Sequence, residues 1–133
     1  MEEIPQSQKI RIAQDRFAQL CGITVEEAYS GYARVRMPIQ EDHLNGYGTV
    51  HGGAIFTLAD YAFAAACNSH EHLSVGINMN ISYLKAVSGG VLFAEAREMA
   101  DPKRLSGCWV EIRNEQKELV ALFQGLAYNK RDY

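Results

Sequence analysis

Residues Gly52 to Asn68 read GGAIFTLADYAFAAACN and contain a single charged side chain, Asp60. Apolar residues fall at nearly every helical angle, without the alternation of a strand, and five alanines lie between Ala59 and Ala66. A helix apolar on nearly every face must be buried all round. At a rise of ~1.5 Å per residue this one spans about 25 Å, close to the width of a small domain. The rest of the chain therefore has to wrap around one central helix.

The remaining sequence supplies a sheet to do so. Ile23 to Tyr29 and Tyr32 to Met37 are short strands separated by Ser30-Gly31. In the second, Ala33, Val35 and Met37 alternate with Tyr32, Arg34 and Arg36, which predicts one buried and one wet face. Val75, Ile77, Met79, Ile81 and Tyr83 repeat that period of two. Val91 to Met99, Leu105 to Arg113 and Leu119 to Tyr128 follow. The short connections among these strands favour antiparallel neighbours, because parallel strands need long crossovers. Ahead of the sheet, Ile10, Ala13, Phe17 and Leu20 recur at helical spacing, predicting one amphipathic helix over Ser7 to Leu20. The expected fold is α+β. A curled antiparallel sheet of five to six strands wraps the apolar helix, in one domain over residues 1–133 with residues 1–21 packed on it.

Composition narrows the function. The 133 residues carry 13 Lys+Arg against 16 Asp+Glu, a net charge of −3. A nucleic-acid binder needs a basic excess or stripe, and only short basic pairs are present. Cys21, Cys67 and Cys108 are odd in number and unpatterned, so neither a disulfide framework nor a zinc knuckle is expected. Free thiols suit a reducing compartment. The acidic start Met-Glu-Glu-Ile-Pro lacks the order of a signal peptide, and no apolar run is long enough to span a membrane. The expectation is a cytoplasmic protein without membrane or nucleic-acid partners.

Asp60 is the residue that most invites a chemical role. A carboxylate on a buried helix is costly unless paired, and no Lys or Arg lies one turn away. Either it meets a tertiary partner such as Arg34 or reaches the surface, or it serves chemistry. His51-Gly52-Gly53 opens the same helix. The glycines serve either a tight turn or a helix N-terminus whose free N–H groups face a ligand. Such N–H groups suit a developing oxyanion. Upstream, Asn45 and His51 belong to a polar, glycine-rich loop, and are either turn and cap residues or donors into the same pocket. Four histidines (His43, His51, His70 and His72) raise a metal site as a competing idea. They contain no helical i, i+4 pair, so no metal is expected. Cys67 has no cation nearby to activate it as a nucleophile.

The stretch His43 to Ser69, HLNGYGTVHGGAIFTLADYAFAAACNS, resembles the signature of the hot-dog-fold thioesterases, specifically the PaaI-like, phenylacetate-degradation branch. The resemblance continues through Ser82 to Gly90 and, with the strand order, covers residues 22 to 129. It implies hydrolysis of acyl-coenzyme A thioesters, with aryl or arylacetyl groups favoured, no metal or other cofactor, and a homodimer or dimer-of-dimers tetramer. It places the catalytic carboxylate on Asp60 and the oxyanion N–H on Gly53. Asn45 and His51 then orient the thioester and water, Gly52 adjoins the bound substrate, and Lys103 and Arg104 hold the coenzyme phosphates or form a solvated turn. A non-catalytic acyl-CoA-binding module of the same fold is the alternative, although the presence of Asp60 argues against it.

Spacing adds a constraint to these assignments. Gly53 and Asp60 are seven residues apart, so they face nearly the same way yet lie about 10 Å apart along the helix. A carbonyl held near an oxyanion donor is out of reach of a carboxylate that far along the same rod. Either the two groups act on different things, or each site combines Gly53 of one helix with Asp60 of another, as two antiparallel helices across a twofold axis would allow.

Overall fold

The computed structural model describes residues 2–99 and 104–130. Two short helices, α1 (Gln6–Ala13) and α2 (Arg16–Leu20), precede strands β1 (Thr24–Tyr29) and β2 (Tyr32–Pro38). A 3-10 turn at Glu41–His43 leads to α3 (Gly52–Cys67). Strands β3 (Leu73–Tyr83), β4 (Val91–Glu98), β5 (Leu105–Arg113) and β6 (Leu119–Lys130) complete the chain. The strands form one sheet in the order β1-β2-β4-β5-β6-β3, and every adjacent pair is antiparallel.

The core is the contact between α3 and the concave face of this sheet. Ala59, Ala62, Ala65 and Ala66 are fully buried there, against Val35 and Met37 of β2, Leu92 and Ala94 of β4, and Val110 and Ile112 of β5. Alanine on the helix lets backbone and sheet approach closely, and small residues on the facing strands do the same. Phe63 goes furthest. Its ring occupies the space that a side chain at Gly125 of β6 would fill, since a Cβ there would lie 2.7 Å from Phe63 Cε1. Phe123 packs beside it, with ring centroids 5.7 Å apart.

Three expectations are corrected. The N-terminal helix is not continuous: it stops at Ala13, and Asp15 starts a second helix by accepting the Ala18 N–H at 2.9 Å. Asp is a good N-cap, and that local bond outweighs the helical spacing that runs through it. The expected apolar stripe is also not the docking face, because Ile10, Phe17 and Leu20 are 47%, 60% and 77% exposed. Gln8 and Ala18 are buried instead. Gln8 Nε2 donates to the carbonyls of His70 and His72 at 3.0 and 2.8 Å, and Ile12 O accepts from Tyr61 Oη at 2.7 Å. Polar anchoring sets the orientation of these helices.

The third correction concerns β3. Its alternation predicts Val75, Ile77, Met79, Ile81 and Tyr83 on a buried face, yet Val75 and Ile77 are 42% and 56% exposed. A bulge between Gly76 and Asn78 breaks the register with β6. Beyond it Met79 and Ile81 pack against the core. One extra residue shifts which side chains point inward. As the last strand of the sheet, β3 pairs only with β6 and presents its other edge unpaired.

Gly125→Ala should overpack the Phe63 site and lower stability by about 1–3 kcal/mol. A urea unfolding series that leaves the midpoint at the wild-type value would show that Phe63 yields without cost.

Candidate active site at the N-terminus of the central helix

The loop before α3 is held rigid by its own polar groups. His43 is buried, with Nδ1 accepting the Gln40 N–H at 2.9 Å and Nε2 hydrogen-bonded to Cys21 O at 2.8 Å. His43 is thus a structural lock, and its own carbonyl accepts the His51 N–H at 2.7 Å. Asn45 Oδ1 accepts from the N–H groups of Tyr47 and Thr49, and Nδ2 donates to Thr49 Oγ1 at 2.9 Å. This side-chain turn closes the loop. Of the polar atoms of Asn45, the second N–H of Nδ2 is left over. Val50 N–H donates to Val87 O at 2.7 Å, which ties the loop to the β3–β4 connection.

At the helix start, His51 is the N-cap, and its Nδ1 accepts the Gly53 N–H at 2.8 Å. The N–H assigned from the sequence to an oxyanion is therefore engaged by a side chain two residues away. None of the hydrogen bonds among the described residues uses the Gly52 N–H. As the first residue of α3, Gly52 offers the free donor, at the positive end of the helix dipole. The sequence signal was the diglycine; which of its two amides stays open depends on the rotamer of the cap, which no spacing reveals.

A residue without any sequence signal also reaches this turn. Tyr83, at the end of β3, donates its phenol O–H to Gly52 O at 2.8 Å. A Cβ on Gly52 would lie 3.1 Å from both Cζ and Oη of that ring, so the close approach of Tyr83 accounts for a glycine here.

Asp60 lies about two turns further along α3, in line with Gly53. It lines a cavity of about 250 Å3 with Phe63, Ala64, Cys67, Gly76 and Met79. Arg34 is not its partner, being paired with Glu26 at 3.2 Å. No ion pair or hydrogen bond among the described residues involves Asp60. Cys67 holds its Sγ 3.0 Å from that of Cys108, both buried. That hydrogen bond, with burial second, pushes the Cys67 thiol up in pKa and away from nucleophilic chemistry. His70 pairs with Glu98, and no His/Cys/Asp/Glu group among the described residues has a metal-binding arrangement. Arg104 is exposed just before β5, and its carbonyl accepts from Asn129 N–H at 2.8 Å. Lys103 lies outside the described residues. No helix of the described residues is long and apolar enough to cross a membrane.

Burial, with the charge of Asp15 second, raises the Asp60 carboxyl above its ordinary pKa. A raised carboxyl favours the protonated form in the fold. Its contribution to stability is full below the unfolded-state value near ~3.9 and is lost as pH rises through the folded value. Asp60→Asn, a neutral mimic, should therefore be more stable than wild type at neutral pH. The difference should shrink as pH falls toward ~4. Urea unfolding at both pH values tests this, and a wild type more stable than the variant at neutral pH would mean that the carboxylate has a stabilising partner.

Residues 47–121, which run from within this loop through α3 and strands β3 to β5 to the start of β6, match the thioesterase superfamily. The chain is 36% identical over 115 residues to the acyl-coenzyme A thioesterase PaaI of Escherichia coli, an alignment covering 86% of this chain and 82% of that one. The solved structure of the E. coli PaaI protein, from the phenylacetic acid degradation operon, superimposes with a TM-score of 0.89 at 34% identity, over 95% of this chain and 92% of that one. A variant of the phenylacetic acid degradation protein PaaI from Thermus thermophilus gives 0.83 at 33% identity, over 87% and 100%. The curled sheet around α3 is the hot-dog fold of these proteins, and the chain belongs to the thioesterase superfamily as a PaaI-like thioester hydrolase.

Proposed function

We propose that the chain hydrolyses acyl-coenzyme A thioesters carrying aryl or arylacetyl groups, to the free acid and coenzyme A, as a cytoplasmic homodimer with shared active sites. The observation that carries the reading is a free N–H at Gly52 and, further along the same helix, an Asp60 carboxyl with no hydrogen bond or ion pair among the described residues. Eight residues separate them, about 12 Å along the axis. Each therefore serves a site completed by the other protomer.

In each site the thioester carbonyl lies against Gly52 N–H of one protomer, with the His51 cap holding the next amide in place. Asp60 of the partner takes a proton from water, and the water oxygen attacks the carbonyl carbon. The negative charge that develops on the carbonyl oxygen falls at the helix N-terminus, where a fixed dipole stabilises it. Collapse of the intermediate breaks the C–S bond, and the departing thiolate takes up the proton. Direct attack by the Asp60 carboxylate reaches the same products through an anhydride. Burial, by raising the Asp60 carboxyl, makes it a stronger base than a solvated carboxylate.

Two features support the dimer. The unpaired edge of β3 runs for 11 residues and exposes Val75 and Ile77, and an edge of that length needs cover. The Gly53–Asp60–Ala64 stripe of α3 is also only partly covered by its own sheet. The cavity beside Asp60, at about 250 Å3, is below the ~300–1,000 Å3 of drug-sized ligand sites. That volume suits a ring-sized acyl group better than a long chain. Lys103 and Arg104 are the proposed contacts for the coenzyme phosphates, supplying local positive charge on an acidic protein.

A complementation assay tests the shared site. Asp60→Ala removes the base. Gly52→Pro removes the N–H at the one helical position where proline is tolerated. Each variant alone should be nearly inactive in thiol release from phenylacetyl-CoA. After co-refolding of differently tagged chains, half of the dimers are mixed and each has one whole site, so activity should return to about a quarter of wild type. Mixed dimers without activity, formed from variants that each fold and dimerise, would overturn the shared site. A wild type that binds acyl-CoA but releases no thiol from any acyl group would make the chain a binding module.

A further inference from the structure

We propose that Tyr83 is a positioning residue for hydrolysis, fixing the direction of the Gly52 N–H through the hydrogen bond it donates to Gly52 O; this rests on the thioesterase reading above. Glycine has no side chain to pack, and its backbone is the freest of any residue. A donor on Gly52 keeps its aim only if the two peptide groups flanking that residue are held from outside. The peptide before it is held through its carbonyl, His51 O, which accepts from Ala54 N–H at 2.9 Å and Ile55 N–H at 3.2 Å. The peptide after it is held at both ends: Tyr83 Oη donates to Gly52 O at 2.8 Å, and Gly53 N–H donates to His51 Nδ1 at 2.8 Å.

Of these anchors, Tyr83 alone comes from outside the loop and helix. It reaches across from β3, 31 residues away in sequence, so it sets the helix start relative to the edge strand that flanks the Asp60 cavity through Gly76 and Met79. The fit is close, since any Cβ on Gly52 would meet the phenol at 3.1 Å. Burial raises the Tyr83 pKa above its ordinary value, so the phenol keeps its proton as donor throughout the neutral range. Tyr83 contacts neither of the groups that carry out the chemistry on the substrate side; it acts through the Gly52 carbonyl.

The test is Tyr83→Phe in the full-length protein, which keeps the ring and deletes the donor, assayed by thiol release from phenylacetyl-CoA and hexanoyl-CoA. Deleting an oxyanion donor costs about 10²–10³-fold in kcat, and misaiming one should cost less, about 10-fold. KM should stay within about twofold, because the lost interaction matters in the transition state rather than in ground-state binding, and the thermal midpoint should not fall. Gly52→Ala reaches the same contact from the other side by pushing the phenol away, and should lower kcat similarly. Combining the two should cost little more than either, as expected of changes acting through one contact. Unchanged kcat in Tyr83→Phe, with an active wild type, overturns the inference and leaves the thioesterase reading standing. A fall in kcat that comes with a raised KM and a lowered thermal midpoint, or multiplicative losses in the double variant, overturns it in favour of a structural brace. A wild type inactive on both thioesters overturns the thioesterase reading itself, and the role of Tyr83 with it.

Discussion

Everything in this molecule follows from the need to cover α3. A 16-residue helix with one charged side chain cannot sit on the surface, and a flat sheet covers only one side of it. The sheet curls, and the helix contributes alanines where the strands β2, β4 and β5 come closest. Small side chains on the helix and glycines on the strands are two halves of one solution, since both shorten the distance between backbone layers. Phe63 is the exception that fixes register, because a single large ring against Gly125 admits one seating of helix on sheet.

The same close packing leaves the α3 N-terminus where it is chemically useful. The first amides of a helix have no partners of their own, and in a core they must be satisfied. Here the loop from His43 to His51 satisfies itself and the second helical amide, through the buried His43, the Asn45 turn and the His51 cap. What remains is one amide on a residue without a side chain, at the positive end of the dipole. A helix buried elsewhere along its length, with one open donor at its mouth, has the preorganisation that the proposed oxyanion role requires.

Elements built from long-range burial were legible in the sequence, and those decided by single local bonds were not. The bounds of α3 and the inward face of β2, with Ala33, Val35 and Met37 fully buried, follow from patterns that extend over many residues. The break between α1 and α2 turns on one Asp15 cap, and the inversion along β3 on one extra residue near Ile77. Neither leaves a periodic trace. Tyr32 shows the same limit: alternation predicts it wet, yet it is buried, stacked on Tyr29 and covered by Arg97. In the site, Asp60 stood out because a lone charge on an apolar helix is conspicuous. Tyr83 did not, because its role depends on a contact across the fold. The diglycine opens α3, and which of its amides stays without a protein partner is set by the ring of His51.

Asp60 shows how stability and activity are divided between levels of organisation. Within one chain its carboxyl is half-buried without a partner, and burial makes its charged form unfavourable. That cost is tolerable because the carboxyl lies on the stripe of α3 that the chain's own sheet leaves partly open, beside a cavity rather than in the packed core. The stripe and the cavity adjoin β3, which lines the cavity through Gly76 and Met79. By the shared-site reading, a second copy set against that stripe brings each Asp60 to the other chain's Gly52. On that reading the sheet around α3 accounts for folding, and the proposed interface accounts for catalysis.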